Sequence, residues 1–494
     1  MAKKGRRDSM ANNTPSIKRN YVYNTLYEIL VLITPLITAP YISRVLGAEK
    51  IGIQSFTNSI VTYFTLFAAL GTNSYGTREI AMHRDDKEES SRLFWEIELV
   101  SVLTTSIAVI IWVIWIFIAD KYNVYYMVLT MTLIAVGFDI SWYFRGFELF
   151  KFIVLRNSLV KIAGIVMLFV FIHEPDDLLL YMAIVASSGL LGNISMWTYL
   201  PGRVQRVRLD SLHPLRHLKQ TIAYFIPAIA TSVYTVLDKT MIGTITGSET
   251  QNGYYEQSGK IIKMSEKMLF SLNTVMSARM SYLFASQKTE EIKEKIDKSF
   301  NFLFAIAIPL ALGLIGISGN FVPWFFGKGY DPVIGYMRLM APLPVIICVS
   351  NILGSQYLTP SGQRVRSSKG IITGAVVNFI FNAILIPMYG AKGAIVGSIV
   401  AECTISSIYV YMSKGFISLR QIWNKTWKRL IAGSAMLFAV LFIGRGKTGS
   451  VIITALQITI GILIYSVMLL ILQDSMAKEG IKYIRRKFNQ IKKR

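Results

Sequence analysis

Several long stretches of this sequence contain no charged residue at all, among them Ile51–Thr77, Leu178–Leu200 and Phe300–Gly327. Each exceeds the roughly 20 predominantly apolar residues that carry a helix across a bilayer. Comparable runs recur from end to end of the 494 residues, which excludes a soluble enzyme with a single anchor. Composition agrees, with 53% hydrophobic and 16% charged residues, where an ordinary soluble protein is roughly one quarter charged.

The expected fold class is an all-α integral membrane protein with about 14 transmembrane helices. The first six spans are Tyr21–Ile42, Ile51–Gly71, Leu93–Ile118, Val124–Phe144, Phe152–Ile172 and Leu178–Leu200. Four more follow at Leu218–Gly243, Tyr254–Phe284, Phe300–Phe321 and Val333–Leu358. The last four are Gly370–Met388, Gly393–Met412, Leu430–Ile443 and Val451–Leu472.

The charges test that count. The formal net charge is +23, which on a soluble chain would suggest nucleic acid. With the N-terminus inside, 40 Lys and Arg fall in cytoplasmic tails and loops or the adjoining ends of spans, and only 8 in outer loops or the adjoining ends of spans. Cytoplasmic loops of membrane proteins are basic, and one missed span would scramble the pattern. Both termini are therefore expected in the cytoplasm, and no nucleic-acid partner is expected. The polar N-terminus is followed by no small-residue cleavage site, so no cleaved signal peptide is expected; Met1 and Met10 are both possible starts. Cys348 and Cys403 both lie in apolar segments and form no CxxC motif.

The halves of the chain resemble each other. VLGAEKIGIQSFTNSI, from Val45, is matched by ITGSETQNGYYEQSGKI, from Ile245, so Gly47 recurs at Gly247 and Gly52 at Gly253. The expected organisation is a tail 1–20, a six-helix lobe 21–200, a basic linker 201–217 and a second six-helix lobe 218–413. Two extra helices (414–473) and a basic tail (474–494) complete it. Duplicated halves around a central site are a common transporter plan.

No Walker A loop, GxGxxG, HExxH or GxSxG is present. No catalytic residue, cofactor or metal is expected. The informative residues are ionisable groups inside spans, each costly unless paired or hydrated. Glu256, Lys260, Lys263 and Lys267 are spaced by 4, 3 and 4 residues and fall within about 60° of a helix surface. One reading lines a water-filled cavity with them and attracts an anion. The other has Lys260 snorkelling outward and local pairs Glu256–Lys260 and Lys263–Glu266. Asp238 and Lys239, adjacent in the seventh span, point about 100° apart and need separate partners; an interhelical ion pair and a transport role both fit. Glu28 and Asp139 are candidates for a basic partner or a coupling cation. Glu96, Glu98 and Lys161 lie near cytoplasmic ends, where snorkelling would suffice. Pro35, Pro40, Pro227, Pro342 and Pro344 are expected to kink spans.

Several stretches resemble the polysaccharide flippase family of the multidrug/oligosaccharidyl-lipid/polysaccharide exporter superfamily. They are PLITAPYISRVLGAEKIG from Pro35, YGTREIA from Tyr75, SWYFRGFELFKFIVLRNSLVK from Ser141, VLDKTMIG from Val236, NGYYEQSGKIIKM from Asn252 and SARMSYL from Ser277. The resemblance implies a two-lobed bundle with a cationic central cavity that opens alternately to each side. The substrate it implies is an undecaprenyl-pyrophosphate-linked oligosaccharide. Partners would be that lipid-linked oligosaccharide, membrane lipids, and polymerase and glycosyltransferases of the same pathway, in the bacterial cytoplasmic membrane. Within the matched motifs lie Arg44, Arg78, Arg145, Arg156, Asp238, Lys239, Lys260 and Lys263; helix-end anchoring is the alternative role for Arg44 and Arg78. Competing functions are a lipid-linked peptidoglycan precursor flippase, a cation-coupled exporter, and a membrane glycosyltransferase or polymerase. The lysine stripe argues against carrying cationic drugs, and no loop is large enough for a catalytic domain.

Overall fold

In the computed structural model residues 17–270, 273–413 and 416–478 are described, and they form helices, short 3-10 turns and loops, with no strand among them. Among the described residues, eleven helices are long and apolar enough to cross a membrane. One of them, Thr25–Met82, is 58 residues long, about 87 Å of helix at 1.5 Å per residue and far more than one crossing needs. It contains the break that divides the first two expected spans: inside α1 (Ile17–Ala69), Gly47 has φ 76° and ψ 171°. The segments expected as spans seven and eight are helical but are not among those eleven, and the eighth is interrupted by Glu256, Lys260, Lys263, Glu266 and Lys267.

Two compact units emerge: residues up to Thr38 with Gln54–Val236, and Ala39–Ile53 with Leu237 onward. The 201–217 linker lies within the first.

The first unit contains α2 (Thr72–Met82), α3 (Lys87–Ile118), α4 (Asn123–Gly137), α5 (Ser141–Gly146), α6 (Phe150–Phe171), α7 (Leu178–Met196) and the beginning of α8 (Leu218–Thr246). α3 starts where Asp86 accepts hydrogen bonds from the backbone N–H of Glu88 and Glu89, answering two of the orphan donors of a helix start. Its core is aromatic: Phe94 stacks on Trp142 at 5.6 Å and meets Tyr143 edge-on at 5.2 Å. Two of the quoted motifs pack onto each other here. The Trp142 ring covers Gly76 of YGTREIA, and Gly146 of SWYFRG lies against Ile80.

The second unit contains the remainder of α8, α9 (Glu249–Phe270), α10 (Asn273–Ala285), α11 (Thr289–Phe325), α12 (Asp331–Met340), α13 (Leu343–Ile352), α14 (Arg364–Tyr389), α15 (Ala391–Met412), α16 (Leu419–Gly444) and α17 (Val451–Ile471). Phe300, Phe304, Cys348 and Leu358 share one buried core, and Met436, Val440 and Tyr465 bring α16 and α17 together against Leu312 of α11. Polar clips fix that last pair: fully buried Arg429 reaches Asp474 at 3.2 Å, and Gln457 donates to Asn320 at 3.1 Å. Outward side chains such as Phe438, Phe442 and Ile452 are exposed and apolar, as a surface facing lipid requires.

The prolines divide. Pro35 and Pro40 lie within α1, whereas Pro342 caps α13 and Pro344 occupies its first turn. These two start a helix instead of kinking one, because a first-turn residue has no intrahelical N–H bond to lose. Pro227 lies on α8, and its side chain is outside the described residues.

Candidate functional site

In the second unit, α9 carries the lysine stripe and α8 brings Lys239 to it. Lys239 is ion-paired to Glu256, and Lys260 Nζ lies 3.8 Å from the other oxygen of the same carboxylate. Glu256 is thus shared by two ammonium groups. The alternative local pair, Lys263–Glu266, is not formed within 4.0 Å, and Lys263 and Lys267 are both exposed. Lys263, exposed on the same face of α9, acts on that carboxylate electrostatically. The cluster keeps net positive charge and suits a mobile anion such as a phosphate.

Asp238, next in sequence to Lys239, does not join this cluster. It is buried at 4% exposure, and its carboxylate accepts hydrogen bonds from four uncharged donors. Asn378 (3.1 Å) and Asn382 (2.6 Å) of α14 reach Oδ1, while Tyr255 of α9 and Ser398 of α15 reach Oδ2. The adjacent residues diverge as 100° per residue requires. One enters an ion pair, the other a neutral cage that draws three further helices to α8. Asn378 and Asn382 escaped sequence reasoning, although two asparagines four apart in an apolar run share one helix face and so signal a polar contact.

The first unit holds its own polar cavity of about 740 Å³. Arg156, Lys161, Asn157, Asn193 and Asp139 line it together with hydroxyls of Thr34, Thr38, Thr65 and Ser188. Arg156 Nη1 donates to Asn193 at 2.8 Å, Asn193 in turn donates to the Ala135 carbonyl at 2.7 Å, and the buried Arg156 Nε has no partner among the described residues. Arg145 donates to Ser141 at 2.7 Å and also keeps a buried, unpartnered Nε. Both guanidinium groups therefore retain unspent donors. Asp139 accepts from Asn73 and from the Ser141 backbone N–H. Glu28 is exposed on α1, while the preceding Tyr27 lines the cavity.

Arg44 and Arg78 each make a hydrogen bond within their own unit. Arg44 donates to the Trp324 carbonyl, one of the orphan acceptors at the end of α11, within the second unit. Arg78 donates to the Tyr224 hydroxyl at 3.1 Å within the first. Both are exposed.

Glu96 and Glu98 do not snorkel. Glu96 is fully buried and gathers the linker: the His213 N–H at 2.8 Å, Arg216 Nε at 2.8 Å and His217 Nε2 at 2.7 Å all converge on it. His217 Nδ1 meets the Tyr75 hydroxyl at 2.6 Å. A histidine in a loop gave no such signal. Among the described residues, no group of three or more His, Cys, Asp or Glu is placed to hold a metal ion.

Residues 17–284 match the family model described as "Polysaccharide biosynthesis protein". A protein of Escherichia coli (strain K12) described as "Putative O-antigen transporter" is 25% identical over 404 residues, covering 81% of this chain and 97% of its own. One of the same description from Shigella dysenteriae is 23% identical over 397 residues, covering 79% and 98%. In fold, the chain is similar to the lipid II flippase MurJ in an inward closed conformation (TM-score 0.71, 14% identity, 92% of this chain and 98% of that one). It is also similar to an inward-facing MATE family multidrug transporter (TM-score 0.60, 13% identity, 84% and 98%).

Proposed function

Because the chain belongs to the polysaccharide biosynthesis protein family, we propose that it is a flippase that moves lipid-linked oligosaccharide repeat units across the bacterial cytoplasmic membrane by alternating access. The observation that carries this reading is the pair of ammonium groups, Lys239 and Lys260, on the one carboxylate of Glu256, with Lys263 exposed on the same face of α9, on helices of a multi-pass membrane protein. A sugar pyrophosphate cannot shed its water into hydrocarbon unaided. Ammonium groups replace that water around the head group, and the lipid tail stays in the bilayer. Arg156, with an uncommitted donor at a polar cavity, supplies a second place for phosphate or for the sugars. The proposed topology has fourteen crossings and both termini in the cytoplasm, supported by the 40 inner against 8 outer basic residues. The described relatives in Escherichia coli and Shigella support O-antigen or a similar surface polymer as the destination.

The test is purified protein in proteoliposomes, with undecaprenyl-pyrophosphate carrying an oligosaccharide in one arm and a lipid-linked peptidoglycan precursor in the other. The expected result is transfer of the oligosaccharide lipid between leaflets, with Lys260→Ala/Lys263→Ala abolishing transfer while the protein remains folded. Transfer of the peptidoglycan precursor alone, or full transfer by the double variant, overturns the reading.

A further inference from the structure

The two oxygens of Glu256 are divided between two helices. One is paired with Lys239 of α8, and the other lies 3.8 Å from Lys260, one turn further along α9. The side chains of Lys239, Glu256 and Lys260 are 19, 16 and 30% exposed, sheltered but reachable. Lys263 and Lys267 continue the same face as exposed residues. An anion that approaches these lysines therefore meets a carboxylate that already holds two of them.

This ion pair is not what fastens α9 to α8. Asn252 donates to the backbone carbonyl of Lys239 at 2.9 Å, the Tyr255 hydroxyl donates to Asp238, and Gly253 lies against the Ala48 carbonyl of α1. None of these contacts uses the Lys239 ammonium or the Glu256 carboxylate. The ammonium sits on a flexible four-carbon stem, so it can change partner while the backbones stay in place. The neighbouring carboxylate Asp238 does not take part, because Asn378, Asn382, Tyr255 and Ser398 already hold it.

We infer that Glu256 is a built-in counter-ion that competes with the diphosphate of the substrate for Lys239 and Lys260, and that this competition sets how readily the substrate is released. The inference rests on the flippase reading and gives Glu256 a positioning role within it. In the empty site the carboxylate offsets the cost of ammonium groups inside a membrane protein. When the diphosphate arrives, the two lysines turn from Glu256 to phosphate oxygens, and the displaced carboxylate repels the anion beside it. On release Glu256 takes the lysines back. A passage for ions must bind well enough to admit them and weakly enough to let them leave; a site of lysines alone would meet the first requirement and fail the second.

The test is calorimetric titration of the purified full-length protein with inorganic pyrophosphate. Glu256→Gln, close in shape but uncharged, should bind it about tenfold tighter than wild type, and Glu256→Asp, which keeps the charge, should stay near wild type. In proteoliposomes Glu256→Gln should lower both the apparent KM and the maximal rate of transfer of undecaprenyl-pyrophosphate-linked oligosaccharide, the split expected when ground-state opposition to binding is removed. A pair that only braced the helices would give no such split. A second readout needs no variant: in wild-type protein labelled with 13C-carboxyl glutamate, pyrophosphate should shift an infrared carboxylate band as the lysines leave it. Unchanged or weaker pyrophosphate binding by Glu256→Gln, equal tightening by Glu256→Asp, or no glutamate band shift overturns the proposal. Pyrophosphate binding is independent of transfer, so tighter binding by Glu256→Gln with no lipid transfer by wild type would retire the flippase reading and keep the counter-ion.

Discussion

Gly52 of α1 and Gly253 of α9 meet backbone to backbone within the second unit. A methyl group on Gly52 would collide with the Glu249 carbonyl oxygen, and one on Gly253 with that of Ala48. These are the glycines that recur between the two halves of the sequence. Their companions, Gly47 and Gly247, have φ of 76° and 60°, a region that side-chain-bearing residues rarely enter. The repeat thus encodes two turns with positive φ and a close approach between the helices following them.

Gly52→Ala or Gly253→Ala should each cost about 3 kcal/mol, because backbone cannot yield as a flexible side chain does. Gly259→Ala, on α9 with open space around it, should instead gain about 0.5–1 kcal/mol from helix propensity. Thermal unfolding of the detergent-solubilised protein checks the contrast. Equal effects at Gly253 and Gly259 would refute the close approach.

Asp238→Asn keeps the shape of the caged side chain but turns one acceptor into a donor facing donors. With Asn378, Asn382, Ser398 and Tyr255 all directed at it, the expected loss is about 1–3 kcal/mol. An unchanged unfolding temperature would count against the cage.

Lys239→Ala and Glu256→Ala should couple by about 1 kcal/mol or more in a double-mutant cycle on stability. Lys260, 3.8 Å from the same carboxylate and more exposed, should couple less to Glu256 than Lys239 does. The reverse order would mean that α9 alone, without α8, organises the cluster.

Glu96→Gln removes the charge that holds Arg216, His217 and the His213 N–H. The linker carries exposed arginines, and trypsin should cut it several-fold faster in the variant, since cleavage follows the population of the open form. Cleavage at the wild-type rate would show that the remaining ties, Trp95 to the Gln205 carbonyl and the Gln205 N–H to Ser91, suffice alone.

The helical class, the multi-pass character and the charge asymmetry between loops were legible in the sequence because each is a local property. Whether a segment tolerates hydrocarbon depends on its own side chains and length. The lysine stripe was legible for the same reason, since helix geometry alone fixes which residues share a face. What the sequence left open were the partners. Lys239 and Asp238 are adjacent, yet one pairs with Glu256 and the other enters a cage from α9, α14 and α15. Glu96 and Glu98 read alike as helix-end carboxylates, yet one is saturated with donors and the other has none. Only the tertiary structure decides such cases, because a buried charge is tolerated according to what other segments bring to it, from 17 residues away for Tyr255 to 160 for Ser398.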